Sequence, residues 1–193
     1  MIEEKAIEDY IERAHYNAEK HGWHNEKLSK MHYVMMIITE IAEMVEADRR
    51  GHHPDMKGFQ EAKKYQEFFY AFDAYIKDSV EDEMADICIR IFDMAGDFYN
   101  PWDFTKEMVQ PSDIEIGGKS IDEFVKTAKF TEIAMNMVIC LAKTDKPVIQ
   151  LIASAFSMLQ GMAQAMGINL EWHIRNKMRY NEERPYQHGG KVY

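Results

Sequence analysis

The chain has 193 residues, with 23 lysines and arginines against 33 aspartates and glutamates; 46% of it is hydrophobic and 29% charged. That length supports one domain with a core large enough to fold without a disulfide or a structural metal. A formal charge of −10 repels duplex nucleic acid, so no nucleic-acid partner is expected, and a phosphorylated substrate would need a divalent cation as mediator. The opening MIEEKAIEDY is acidic and lacks the apolar stretch of an export signal, and no uninterrupted apolar run approaches about 18 residues. The expectation is a soluble, cytoplasmic chain without a membrane partner. Cys88 and Cys140 each sit in an apolar run, which fits two buried thiols in a reducing compartment better than a disulfide.

In chain order, the apolar spacing predicts helices at 2–20, 27–50, 58–77, 79–98, 119–142, 146–166 and 168–183. The prolines at 54, 101, 111, 147 and 185 all fall between these segments, where a missing N–H and a ring clash punctuate rather than break. In the second helix Val34, Ile37, Ile38, Ile41, Ala42 and Val45 recur at three- and four-residue spacing; in the fourth, Val80, Met84, Ile87, Ile91, Met94 and Phe98 do the same. Fifteen methionines fall mostly on such faces, as gap-fillers of a helical core. Alternating strand patterns are absent, so the fold class is all-α. Residues 99–118, with two prolines and Gly117-Gly118, read as the longest irregular connection, and the neighbours His52 and His53 as an exposed turn. Thr39-Glu40-Ile41-Ala42 recurs as Thr131-Glu132-Ile133-Ala134; either a degenerate internal duplication or chance matching between amphipathic helices accounts for it.

Two carboxylate pairs carry the chemistry. Glu40 and Glu43 lie three apart on the second helix, Glu83 and Asp86 three apart on the fourth, so each pair projects from one side of its helix. If the two helices pack through their apolar stripes, four carboxylates meet and need a cation. Hard oxygen donors favour Mg²⁺, or Mn²⁺, over zinc. Towards the C-terminus, His173, Lys177, Asn181 and Arg184 recur along one stripe of a helix ended by Pro185, and offer donors for phosphate oxygens.

Glu40-x-x-Glu43 followed by Glu83-x-x-Asp86 resembles the metal motif of the all-α nucleoside triphosphate pyrophosphohydrolases, the MazG-like superfamily. The surrounding Ile38-Thr39-Glu40-Ile41-Ala42-Glu43, the run Val80–Asp86 with Arg90 a turn later, and the lead-in Gly22-Trp23 agree with it. So does the ending Lys177-Met178-Arg179-Tyr180-Asn181-Glu182-Glu183-Arg184-Pro185 with His188-Gly189. The resemblance covers about residues 15–100 and 168–193, within a single domain 1–193 carrying insertions at about 51–78 and 101–166. It implies a helical bundle that cleaves a (d)NTP to (d)NMP and pyrophosphate, in the manner of nucleotide-pool house-cleaning. Glu40, Glu43, Glu83 and Asp86 would hold Mg²⁺, and Glu43 is preferred as acceptor of the water's proton. Lys177, Asn181, Arg184 and His188 would bind phosphates. Trp23 is a candidate for stacking on the base, with an interface or core role equally open. A homo-oligomer, a dimer by preference, is expected.

Two departures stand out. Thr39 occupies a position where the family often has another acid, for which Glu46 is a substitute, and the gap from Glu43 to Glu83 is longer than usual. The alternatives are a dUTP-restricted pyrophosphatase of the same superfamily and a catalytically silent nucleotide-binding or interaction protein. A di-iron bundle wants two Glu-x-x-His motifs. Only Glu12-x-x-His15 is present.

Overall fold

Serines start the two helices that matter most. The computed structural model describes residues 2–187. In it the Ser29 side chain accepts the His32 N–H at 3.2 Å to open α2 (Lys30–Arg49), and Ser79 accepts the Asp82 N–H at 3.3 Å to open α5 (Val80–Phe98). Helix α5 is the axis of the fold. It buries Val80, Met84, Ile87, Cys88, Ile91, Phe92, Met94 and Ala95 against α1 (Glu4–Lys20), α2, α9 (Val148–Met166) and α10 (Leu170–Glu182). Ten α-helices stand among the described residues, so the all-α class holds.

The apolar face of α2 lies slightly rotated from the one its spacing suggests. Tyr33, Val34, Ile37, Ile41, Met44 and Ala47 are buried, Ala42 is exposed, and Glu40 is drawn onto the core side. On α5 the expected stripe is buried throughout except Phe98, which is half-buried.

Two long helices of the sequence reading are broken. The span 58–77 is α3 (Met56–Ala62) and α4 (Phe68–Tyr75). A continuous helix would set Phe59 and Phe68 roughly 180° apart, at about 100° per residue. The break turns both rings into one cluster, 6.0 Å apart, with Phe72, Ile76 and Tyr180. The span 119–142 is α7 (Ile121–Thr127) and α8 (Phe130–Leu141); Ala128 and Lys129 are extended, and the Glu132 carboxylate accepts the Lys129 N–H at 2.7 Å.

The stretch 99–118 is not an irregular connection. It holds α6 (Pro101–Glu107), a 3₁₀ turn at Pro111–Asp113 and the strand β1 (Glu115–Ile116), paired antiparallel with β2 (Lys119–Ser120). Gly117 and Gly118 both have positive φ, the geometry of a tight two-residue hairpin, which four strand residues are too few to announce by alternation.

Helix α9 is the one described segment that bears on the membrane reading. Gln150, Ser154, Ser157, Gln160 and Gln164 interrupt its apolar residues, yet by length and mean hydropathy it is apolar enough to cross a bilayer. In the structure 67% of that segment is buried inside the protein, and it serves as a core helix. The repeated Thr-Glu-Ile-Ala falls on α2 and α8, which touch each other; α2 packs on α5 and α8 on α9. His52 and His53 are exposed as expected, bonded to the Asp78 carbonyl at 2.9 Å and to Glu81 at 3.0 Å.

Candidate metal and phosphate site

The packing of α2 on α5 brings both acidic pairs to one cavity of about 280 Å³, and α10 closes it. Glu40, Glu43, Glu83 and Asp86 line it together with Lys177, Asn181, Arg184 and Trp23. His188 lies outside the described residues. Elements as far apart in sequence as α2 and α10 thus meet at one place. Larger concavities exist elsewhere among the described residues, but those beside Glu115 and Arg175 gather five charged side chains each, against ten here.

The carboxylates are not equivalent. Donor oxygens of Glu40, Glu43 and Glu83 lie within 4.8 Å of one another, the reach of one divalent cation. Glu40 and Glu83 are buried and Glu43 is exposed, so the group opens towards solvent at Glu43. Arg90 steadies Glu40 through a 2.9 Å bond from its Nε. One oxygen of Glu83, Oε2, is buried without a hydrogen-bond partner among the described residues. Burial, reinforced by the neighbouring Asp86 charge and opposed by Lys177, pushes the Glu83 carboxyl up to about 9. Glu40 is raised too, by burial first and then by Asp86, against the pull of Arg90. An orphaned buried carboxylate oxygen among hard donors is what a Mg²⁺-class ion would satisfy, so the residues present fit the cation the sequence suggests.

Asp86 has a second engagement that the sequence does not reveal. Lys177 is almost fully buried, and its Nζ sits 2.7 Å from Asp86 Oδ2 and 2.6 Å from Asp82 Oδ2. Burial works against the ammonium, but Asp82 and Asp86 overcome it and the pKa rises. Asp82, fully buried, accepts the Asp78 N–H at 3.0 Å as well, yet its other oxygen is unpartnered and burial lifts its carboxyl to about 6. Lys177 thus has carboxylate partners besides any phosphate it would bind. Two of its three N–H groups are used on carboxylates, and one is left for a ligand.

Asn181 Oδ1 is buried without a partner among the described residues and belongs to the cavity wall. Arg184 reaches the same wall; its carbonyl accepts from His21 Nε2 at 2.9 Å, and its guanidinium lies 5.9 Å from the Tyr180 ring. Trp23 is placed by the turn after α1. Gly22 takes a φ of 82° there, and the Tyr186 ring occupies the space a Cβ would fill. The expected stripe also included His173, which is buried outside this cavity.

The residue that sequence reasoning missed is Asp82. Its place in the first turn of α5 reads as an ordinary acid at a helix N-terminus. Only the approach of α10 shows that it fixes Lys177. Comparison with known protein families, curated proteins and solved structures finds no match for this chain.

Proposed function

We propose that the protein is a Mg²⁺-dependent nucleoside triphosphate pyrophosphohydrolase, converting (d)NTP and water to (d)NMP and pyrophosphate. The observation that carries this reading is the meeting of Glu40, Glu43 and Glu83 with Lys177, Asn181 and Arg184 on one small cavity. Its 280 Å³ suits a triphosphate better than a whole nucleotide, which leaves the base at the rim, where Trp23 offers a flat surface. Glu40, Glu43 and Glu83, with Asp86 behind them, would hold the cation. A bound Mg²⁺ supplies charge neutralisation on the phosphates and a lowered pKa for the attacking water.

The chain's own groups do the rest. Glu43 is the exposed member of the triad and accepts the proton as the water oxygen bonds to the α-phosphorus. The α–β anhydride bond then breaks, and its electron pair leaves with pyrophosphate. Asn181, Arg184 and the remaining N–H of Lys177 hold that leaving group, which is positioning rather than covalent work. Arg90 keeps Glu40 oriented. A homodimer belongs to the same reading, supported by the exposed Met31 and Met35 on α2 and Met135 and Ile139 on α8, two helices that touch each other.

The test is product analysis across canonical and modified NTPs and dNTPs. A γ-label should emerge in pyrophosphate, and Glu40→Gln should lower turnover at least ~10²-fold with the helices intact. Direct release of orthophosphate with NDP, or full turnover in excess EDTA, would reject the assignment.

A further inference from the structure

Next to that cavity, which Asp93 also lines, stands a second group of potential ligands with different chemistry. His15 projects from α1, His24 from the loop between α1 and α2, and Asp93 from α5. Asp93 Oδ1 is 3.3 Å from His15 Nδ1 and 2.8 Å from His24 Nε2, and the three donors lie within 4.8 Å of one another. Two donors held ~2.0–2.1 Å from a zinc ion at the tetrahedral angle stand roughly 3.3 Å apart. All three side chains are largely shielded, with exposures of 23%, 13% and 10%.

The surroundings are built for those two imidazoles. Metal-bound histidines are oriented by a partner on the other ring nitrogen. His24 Nδ1 lies 3.1 Å from the Tyr33 hydroxyl and 3.9 Å from Asp97 Oδ1. His24 Nε2–H donates to Asp93 here; a metal would take that proton's place while the Tyr33 hydroxyl holds Nδ1. His15 Nε2 faces Glu19 at 3.8 Å. Helix α5 carries Gly96 beneath His15, where a Cβ would come within 2.6 Å of His15 Cβ; the missing side chain lets α1 close onto α5 at this point.

We propose that His15, His24 and Asp93 bind a divalent transition metal of the zinc class. Two imidazoles and one carboxylate suit such an ion, whereas the all-carboxylate group at Glu40, Glu43 and Glu83 suits Mg²⁺. The ion would tie three segments together, α1, α5 and the loop that carries Trp23, and would have an open coordination position. This site stands whether or not the cavity hydrolyses nucleotides.

Co²⁺ is the probe, added to EDTA-stripped full-length protein at pH 8 in excess Mg²⁺, which keeps the carboxylate group filled. One equivalent should bind with visible ligand-field absorption of nitrogen-coordinated cobalt, and Zn²⁺ should displace it. His15→Ala and His24→Ala should abolish the absorption, while Glu83→Gln keeps it. Tyr33→Phe retains every ligand and should weaken Co²⁺ about ten- to a hundred-fold through loss of the hydroxyl that holds His24 Nδ1, so a variant that fails to fold does not decide the matter. Unchanged Co²⁺ binding in His24→Ala and Tyr33→Phe, or loss of the absorption in Glu83→Gln, would overturn the assignment.

Discussion

Replacing Glu83 by Gln should make the metal-free protein more stable while removing its response to Mg²⁺. Glu83 is 4% exposed, and its carboxyl ionises at about 9 instead of the usual 4.5. Folding at neutral pH therefore holds a proton that the unfolded chain releases. A raised folded-state value gives a contribution that is fully present below pH 4.5 and is lost as pH rises towards 9. Three pH units above 4.5, at about 1.36 kcal/mol each, correspond to roughly 4 kcal/mol lost by pH 7.5. Gln keeps the shape, does not titrate, and can donate its amide N–H groups to the neighbouring carboxylates. At about 2–4 °C per kcal/mol, the variant should melt several degrees above the parent in EDTA at pH 7.5, and close to it at pH 5. Adding Mg²⁺ should raise the parent's melting temperature and leave the variant's unchanged. A gap of the same size at both pH values, or a variant less stable at pH 7.5, would refute the claim that holding a proton on buried Glu83 costs the metal-free protein stability.

Lys177→Met should behave as a stability mutation first. It strands Asp82 and Asp86 in the interior, and breaking such a buried pair costs about 3–5 kcal/mol, seen as a fall in denaturation midpoint that eases at pH 5 as Asp82 takes up a proton. His173 gives a separate acid signature: burial lowers its pKa from 6.5 to about 4, so the stability it lends is full above pH 6.5 and is lost as pH falls towards 4. The loss should be roughly 3 kcal/mol across that window, and urea titrations of His173→Leu should lack that part of the slope.

The parts legible in the sequence are those where one helix carries its own signal. The stripes of α2 and α5, the pairs Glu40–Glu43 and Glu83–Asp86, and the spacing of Lys177, Asn181 and Arg184 are local patterns, and the structure gathers their residues around one cavity. What was hidden depends on partners far away in the chain. The break between α3 and α4 follows from where Tyr180 places a cluster of phenylalanines, and nothing between residues 58 and 77 encodes that. Asp82 becomes a ligand for Lys177 only because α10 returns across α5. His15 was visible as half of a Glu-x-x-His motif, but its neighbours in space are His24 and Asp93, not Glu12.

The small aromatic cluster has a bearing on the cavity's endurance. Tyr180 stacks on Phe69 and Phe72 at 4.6 and 4.9 Å, and its hydroxyl donates to Asp73 at 2.6 Å. Lys177 and Asn181 ride on the same helix as Tyr180, so their placement leans on the segment 56–76 and not on the main core alone. Proteins open in cooperative pieces whose local stabilities differ, and a cluster with six buried members is a lighter latch than the core around α5. Release of that latch would free one wall of the site while α1, α2, α5 and α9 stay folded, which makes the segment between the two acidic motifs a clamp on the binding helix and ties the lifetime of the assembled site to a small satellite cluster.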